Sequence, residues 1–398
     1  MTVRYLHVIH SLNPEHGGPP QGVKQLASAA IRLQHQVEVV TLDSPATPWH
    51  RQWPCTVHCL GPGLLKYGFA PQFPRWLRQN VTRFDAVIVN GIWQYHSFAT
   101  WRVLRGSSVP YYVFAHGMLD PWFKRQYPLK HLKKLLYWPW AECRVLHDAQ
   151  AVLFTSHEEM LLARQSFNRY SAKEVVVSYG TPGLPVDDAV ARRELFLQQH
   201  PQLRGKRLFL FLGRIHPKKG CDLLIEAFAP IARLDRSLHL VLAGPYQTGM
   251  QARLTRLAQR LEVAHAITWT GMLRGDLKAG AFHAAETFVL PSHQENFGIA
   301  VAEALSCRIP VLISNKVNIW REVCADQAGF AADDTLAGTR QLLHKWLALS
   351  REERERILDA LRSCNWNRVK AAEVSGIPRR TFYRRLREYG ILESSGDE

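Results

Sequence analysis

Glu295 and Glu303 stand eight positions apart, in Pro291-Ser292-His293-Gln294-Glu295-Asn296-Phe297-Gly298 and the apolar run that leads to Glu303. A strand-like stretch, Thr287-Phe288-Val289-Leu290, precedes them. This spacing predicts a strand, a short loop carrying Glu295, and a helix that starts near Gly298 with Glu303 on its second turn. The open N–H groups at the start of such a helix favour an anion. Carboxylates beside them accept hydrogen bonds from hydroxyls. Anion donors next to hydroxyl acceptors describe a place for a sugar joined to a diphosphate.

A second segment suits the same ligand. Leu208-Phe209-Leu210-Phe211-Leu212 reads as a buried parallel strand. Gly213-Arg214-Ile215-His216-Pro217-Lys218-Lys219-Gly220 follows, then a helical pattern from Cys221 to Ala232. A basic loop bounded by glycines, at the carboxyl end of a strand, lies where open α/β sheets bind ligands. Arg214 can neutralise a departing diphosphate as a fork and Lys219 as a point charge. Either motif alone is compatible with ordinary helix opening; together, about eighty residues apart, they argue for one site.

The elements that must position these residues come in two series. Strand-like runs at Val3–Ile9, Val37–Leu42, Ala86–Val89, Tyr111–Ala115, Ala151–Phe154 and Val175–Val177 alternate with helical ones. A second alternation runs through Leu208, Leu238–Ala243, Ile267–Thr270, Thr287–Leu290 and Val311–Ile313. Such alternation predicts α/β domains with parallel sheets. Gly180-Thr181-Pro182-Gly183-Leu184-Pro185 is the clearest punctuation between the two series and reads as a hinge. A chain of 398 residues exceeds one ordinary core. The expected division is 1–183, 184–350 and 351–398: two doubly wound Rossmann-like domains facing a cleft, plus a small all-α tail.

Net charge is +16, which favours anionic partners such as nucleotide sugars, acidic lipid surfaces or DNA. No apolar run reaches the length of a membrane span, and the N-terminus enters a strand pattern without a cleavable signal. Seven cysteines do not suggest a disulfide framework. Cys55 and Cys59 lack a second pair, so no metal site is expected. A reducing cytoplasm suits this composition.

At this point the residues resemble a known family. Gly-Arg-x4-Lys-Gly at Gly213–Gly220 with Glu-x7-Glu at Glu295–Glu303 is similar to the donor half of the retaining glycosyltransferases of family 4, which have the GT-B fold. Val3–Ile9 resembles their first strand, and Gly17-Gly18 the glycine pair after it. Val113-Phe114-Ala115-His116-Gly117-Met118-Leu119-Asp120-Pro121-Trp122 and Asn318-Ile319-Trp320-Arg321-Glu322 resemble segments of members that build bacterial surface polysaccharides. The resemblance covers about residues 3 to 350.

It implies a hexosyltransferase moving sugar from a UDP- or GDP-sugar to a saccharide or lipid-linked acceptor with retention, and with no metal or other cofactor. The leaving phosphate itself would take the acceptor proton. By resemblance Glu295 contacts donor sugar hydroxyls, Glu303 holds the ribose, and Arg214 and Lys219 stabilise the leaving diphosphate. Asn296, Phe297 and Gly298 offer backbone N–H groups, and His116 contacts the donor sugar. Gly213 belongs to the donor loop. Gly17 and Gly18, read as a loop before a helix from Gln21, either let the backbone approach the ligand or form a simple turn. Asp120 is a weaker candidate for acceptor contact. One departure stands out: Arg308 occupies a helix end where glycine is usual, a left-handed position that costs arginine about 1 kcal/mol. It marks either local strain or a drifted enzyme.

Two further segments have open readings. Phe123–Trp140 mixes basic and aromatic residues, with Leu129, Leu132, Leu135 and Leu136 on one helical face and Lys130, Lys133 and Lys134 on another. It is either a core-facing helix with a solvated basic side or a helix resting on anionic lipid at the inner face of the plasma membrane. From Arg351 the strands stop. Asn365–Ile391 carries helix, Ser-Gly turn and Pro-led helix, and resembles the helix-turn-helix of the Fis and NtrC regulators, with Ser375 where leucine is usual. Arg379, Arg380, Thr381 and Arg384 are then candidates for DNA contact, and a dimer is expected because one such unit binds weakly. The alternative is that Trp366–Val369 is the helical ending that family 4 members return to their first domain. A DNA-binding regulator whose transferase-like domains sense a nucleotide sugar is the second functional reading.

Overall fold

The computed structural model describes residues 2–14, 18–177, 179–181, 183–184, 187–246, 249–388 and 391. Its contacts divide the chain into two units, Met1–Pro182 with Gln294–Ala302, and Gly183–His293 with Glu303–Glu398.

The first unit holds seven parallel strands: β1 (Arg4–Ile9), β2 (Gln36–Thr41), β3 (Thr56–Cys59), β4 (Ala86–Asn90), β5 (Tyr111–Phe114), β6 (Ala151–Phe154) and β7 (Glu174–Val176). They lie in the order β3-β2-β1-β4-β5-β6-β7. The second unit holds six: β8 (Arg207–Leu212), β9 (Leu238–Ala243), β10 (Ile267–Gly271), β11 (Ala285–Leu290), β12 (Val311–Ser314) and β13 (Gly329–Ala332), in the order β10-β9-β8-β11-β12-β13. Central strands such as Arg207-Leu-Phe-Leu-Phe-Leu212 are apolar at nearly every position because helices cover both faces of a parallel sheet. Phe209, Phe211, Phe228, Phe282 and Phe288 fill the second core. Arg207 forks onto Glu286 with two 2.8 Å bonds, and the Trp346 indole donates to the same carboxylate at 2.9 Å.

Two strands escape the alternation rule. β3 and β13 are edge strands of four residues, half-exposed along most of their length. Neither burial nor composition marks them, since β3 carries Thr and His and β13 carries Gly and Ala. The helix expected from Gln21 begins instead at Gly18 and runs to Arg32, with Pro19 and Pro20 in its first turn. Gly18 is therefore a helix residue and not a loop residue. Gly17 lies outside the described residues, as do Pro182 and Pro185 of the proposed hinge.

Past β13 one helix, Leu336–Ser363, runs without a break for 28 residues. Its first half buries Leu342, Leu343 and Trp346; its second half contributes Ile357, Ala360 and Leu361 to a separate small core. That core is completed by Ala371 and Ala372 of the Arg368–Ser375 helix and by Phe382 and Leu386 of the Arg379–Glu388 helix. Gly376, at φ +68, turns between these two helices. Ser375 is half-exposed, so its small side chain leaves no hole in the core.

Arg308 closes the Ile299–Ser306 helix at φ +60, with Arg308 N–H on the Leu305 carbonyl and Ile309 N–H on the Ala304 carbonyl, both at 2.9 Å. This is the paired bonding of a Schellman ending, in which glycine costs least. Replacing Arg308 by Gly is expected to raise stability by about 1 kcal/mol, read as a shift in the denaturation midpoint.

Candidate functional site

In the second sheet the strand order reverses between β8 and β11. Loops leaving the carboxyl ends of two such strands diverge and leave a crevice. The loops at this point are Gly213–Gly220 and the one that starts at Pro291, so the two sequence motifs meet. The Lys218 carbonyl accepts from the Ser292 hydroxyl at 3.0 Å and from the His293 N–H at 2.8 Å. His293 is held in turn by Asp334 at 2.9 Å. Gly220, at φ +66, packs so close to Pro291 that a Cβ there would stand 2.2 Å from its carbonyl oxygen. Only glycine fits.

Arg214 is exposed and Lys219 half-buried. Withdrawal from water, reinforced by Lys218 and Arg214, pushes the Lys219 ammonium down to about 7. Glu303 is buried on the second turn of its helix, where its Oε1 meets the Lys278 ammonium at 2.6 Å. Sequence gives no signal for Lys278, because the pairing is made by packing across 25 positions.

In the first unit the reversal lies between β1 and β4. Asn90 ends β4 and organises three histidines. Its amide nitrogen donates to His7 Nδ1 and to the Ile88 carbonyl, each at 3.1 Å. A carbonyl accepts only from the NH2 group, so the amide oxygen is the atom that faces His116 Nε2 at 3.2 Å. His116 therefore carries its proton on Nε2 and presents Nδ1 as an acceptor. Its backbone is left-handed, φ +48, and its ring stacks on Phe114 at 4.9 Å. His96 bonds the Asn90 carbonyl at 3.0 Å. Burial pushes His7 and His96 down to about 3 and His116 to about 4.

Next to His116, the Gly117 N–H donates to Glu159 at 2.7 Å, and Thr155 gives Glu159 two more bonds of 2.7 Å. Burial raises the Glu159 carboxyl although these donors oppose it. The Asn296 amide donates to the Thr155 hydroxyl at 3.2 Å, and a Cβ on Gly117 would press within 3.0 Å of the Asn296 side chain. Phe297 meets the Tyr179 ring edge-on at 5.1 Å. The capping spacing Ser156-x-x-Glu159 is the signal that could have found Glu159; Ser156 does cap its N–H, at 3.1 Å.

The expected residues thus fall into two groups. Gly213, Arg214, Lys219 and Glu303 belong to the second unit; His116, Glu295, Asn296, Phe297 and Gly298 belong to the first. Glu295 is half-buried and Gly298, at φ +76, precedes the helix that carries Glu303. Asp120 accepts from the Trp122 N–H at 2.8 Å. In the tail, Arg379, Arg380 and Arg384 are exposed and Thr381 half-buried. Among the described residues no group of three His, Cys, Asp or Glu is placed to hold a metal ion.

Residues 17–180 match the family model of the glycosyl transferase 4-like domain, and residues 192–361 that of the glycosyl transferases group 1. The chain resembles the group 1 glycosyl transferases. Residues 348–389 also match the bacterial regulatory proteins of the Fis family. Curated relatives include the D-inositol 3-phosphate glycosyltransferases of Gordonia bronchialis, 30% identical over 47% of this chain and 42% of that one, and of Thermomonospora curvata, 34% identical over 48% and 47%. The chain thus spans less than half the length of these relatives. Among solved structures, sucrose-phosphate synthase from Thermosynechococcus elongatus superimposes with a TM-score of 0.69 at 18% identity, covering 98% of both chains. Anabaena HepE in complex with UDP and glucose gives 0.65 at 15% identity, covering 98% and 97%. Both sheets and their connections are those of the GT-B fold, followed here by the Fis-type helices.

Folding keeps the proton off His116, His7 and His96. Their contribution to stability is present above about pH 6.5 and is lost as pH falls through 4 and then 3. In an NMR titration His116 should stay neutral down to about pH 4. Asn90→Asp sets a carboxylate against both His7 and His116 and should move their titration clearly upward.

Proposed function

We propose that the chain is a retaining glycosyltransferase that takes a sugar from a UDP- or GDP-sugar and delivers it to a saccharide or lipid-linked acceptor, in the cytoplasm and without a metal. The observation that carries the reading is the bond pair on the Lys218 carbonyl, which fixes the Arg214–Lys219 loop beside the segment leading to Glu303. Arg214 and Lys219 meet the diphosphate, and Glu303, steadied by Lys278, meets the ribose. Glu295 with the backbone of Asn296, Phe297 and Gly298, and His116 through its Nδ1, serve the sugar, while Gly213 and Gly18 border the phosphates. The acceptor oxygen bonds to the anomeric carbon as the bond to the diphosphate breaks on the same face. The acceptor proton passes to the departing phosphate oxygen, so no protein base is needed. Stabilising charge that develops on the leaving group supplies most of the rate. The UDP seen in Anabaena HepE supports a nucleotide donor.

The depressed Lys219 ammonium gives the test. An anion bound beside it favours its charged form, so binding takes up a proton. Calorimetry with UDP and GDP in buffers of different ionisation enthalpy should show this uptake, with affinity falling as pH rises through about 7. Arg214→Ala should weaken binding at least about tenfold, the cost of one charge-assisted contact. If neither nucleotide binds, the reading fails.

A second reading concerns the tail alone. Phe382 and Leu386 face its core, which leaves Arg380 and Arg384 together on the opposite, exposed side of one helix, with Arg379 exposed at its first turn. We propose that this side contacts DNA. A gel shift with fragments from around the chain's own gene should weaken in Arg380→Ala/Arg384→Ala and with rising salt. A shift indifferent to both changes would exclude it.

A further inference from the structure

The helix Pro128–Tyr137 is amphipathic in the wrong direction for a globular surface. A helix that covers a core turns its leucines inward and its lysines to water. Here Leu129 is 78% exposed, Leu136 72% and Leu132 57%, and Trp140 just beyond the helix is 51% exposed. These four share one side, with Lys133 exposed beside them. The inward side holds Trp138, His131 and Lys134. Lys134 sits 4.5 Å from the Trp93 ring centre, and Lys130 4.6 Å from that of Tyr127.

That inward side opens into a pocket shared with the helix Trp122–Gln126. Lys124, Lys130, His131 and Lys134 line it, with Phe123 and Tyr127 as walls. Asp120 also lines it, but one of its oxygens is spent on the Trp122 N–H. Three ammonium groups therefore face one carboxylate. Burial holds Lys134 down to about 8, against the pull of the buried Glu142, so its charge is short of compensation. An anion in the pocket would supply it.

We propose that this face of the first unit docks on an anionic phospholipid bilayer, with Leu129, Leu132, Leu136 and Trp140 among the acyl chains and a lipid phosphodiester in the Lys130–Lys134 pocket. Ten residues are too few to cross a bilayer, and no helix among the described residues is long and apolar enough to do so. The helix would lie in the interface plane, where leucines and tryptophan enter the acyl boundary and lysines meet headgroups. Charge complementarity selects this occupant. A partner protein would need carboxylates matched to four basic groups, whereas an anionic bilayer offers phosphates at every position along the helix.

The docking is independent of sugar transfer, so the test needs no donor. The full chain is floated with vesicles of phosphatidylglycerol mixed with phosphatidylcholine, and with phosphatidylcholine alone, at about 0.1 M salt. It should float with the first and hardly with the second. Leu132→Ser/Leu136→Ser should cut the partition at least tenfold while leaving the melting temperature unchanged, since both side chains are exposed. Lys130→Gln/Lys134→Met should remove the preference for the anionic lipid. Arg380→Ala/Arg384→Ala, in the basic tail, should leave the partition as it was. The proposal is overturned if the chain does not float with anionic vesicles. It is equally overturned if the leucine variant floats as well as the parent, or if sedimentation shows a dimer that only the leucine variant loses.

Discussion

One backbone carbonyl, that of Lys218, holds the second unit's site together. A carbonyl oxygen has two lone pairs, and here both are used, one by a side chain and one by a backbone N–H of a loop more than seventy residues away. The bond pair works only because Gly220 lets the chain turn left-handed against the Pro291 carbonyl. The strand order β9-β8-β11-β12 brings the two loops to the same crevice, and the carbonyl fixes their spacing. Basic residues crowded on such a loop repel one another. Withdrawal from water, with that repulsion added, depresses the Lys219 ammonium, and an anion beside it would favour its charged form.

The first unit handles its polar groups in the opposite way. It buries them hydrogen-bonded: His7, His96 and His116, kept neutral, around Asn90, and Glu159 under three donors. Buried hydrogen bonds of this kind favour one arrangement, because breaking any of them leaves a further donor or acceptor unpaired at a cost of about 1–3 kcal/mol. His116 gains a defined tautomer from this, which a solvated histidine would not have.

How much of this was legible in the sequence depended on whether a feature was local. Leu208–Leu212 and Thr287–Leu290 announced strands because both of their faces are buried, and the Glu-x7-Glu spacing placed Glu303 on its helix correctly. The edge strands β3 and β13 were invisible because half-exposed strands of four residues carry no strong pattern. The start of the first helix at Gly18 was misplaced: two prolines read as loop are also what a first helical turn accepts. The left-handed Arg308 was foreseen from the glycine that the resembling family usually carries at this helix end. Asn90 and Lys278 were not, since each is defined by what lies across the fold, and for the Pro128–Tyr137 helix the core-facing and lipid-facing readings both stayed open. The leucines of that helix have the same periodicity whether they face a core or water.

The unbroken helix Leu336–Ser363 has a consequence for how this chain could have been assembled. The glycosyl transferase match ends at 361 and the Fis-type match begins at 348, so the same stretch of helix is read as part of both. No junction exists at which the Fis-type segment can be cut off or grafted on as a cassette. Every residue gained or lost in the shared stretch advances or retards the tail by about 1.5 Å and swings it by roughly 100° about the helix axis. Indels of about seven residues, nearly two whole turns, would be the shortest that nearly restore its azimuth. Length variation among relatives that keep both segments should therefore be quantised, with single-residue insertions rare in the helix and free in the loops on either side.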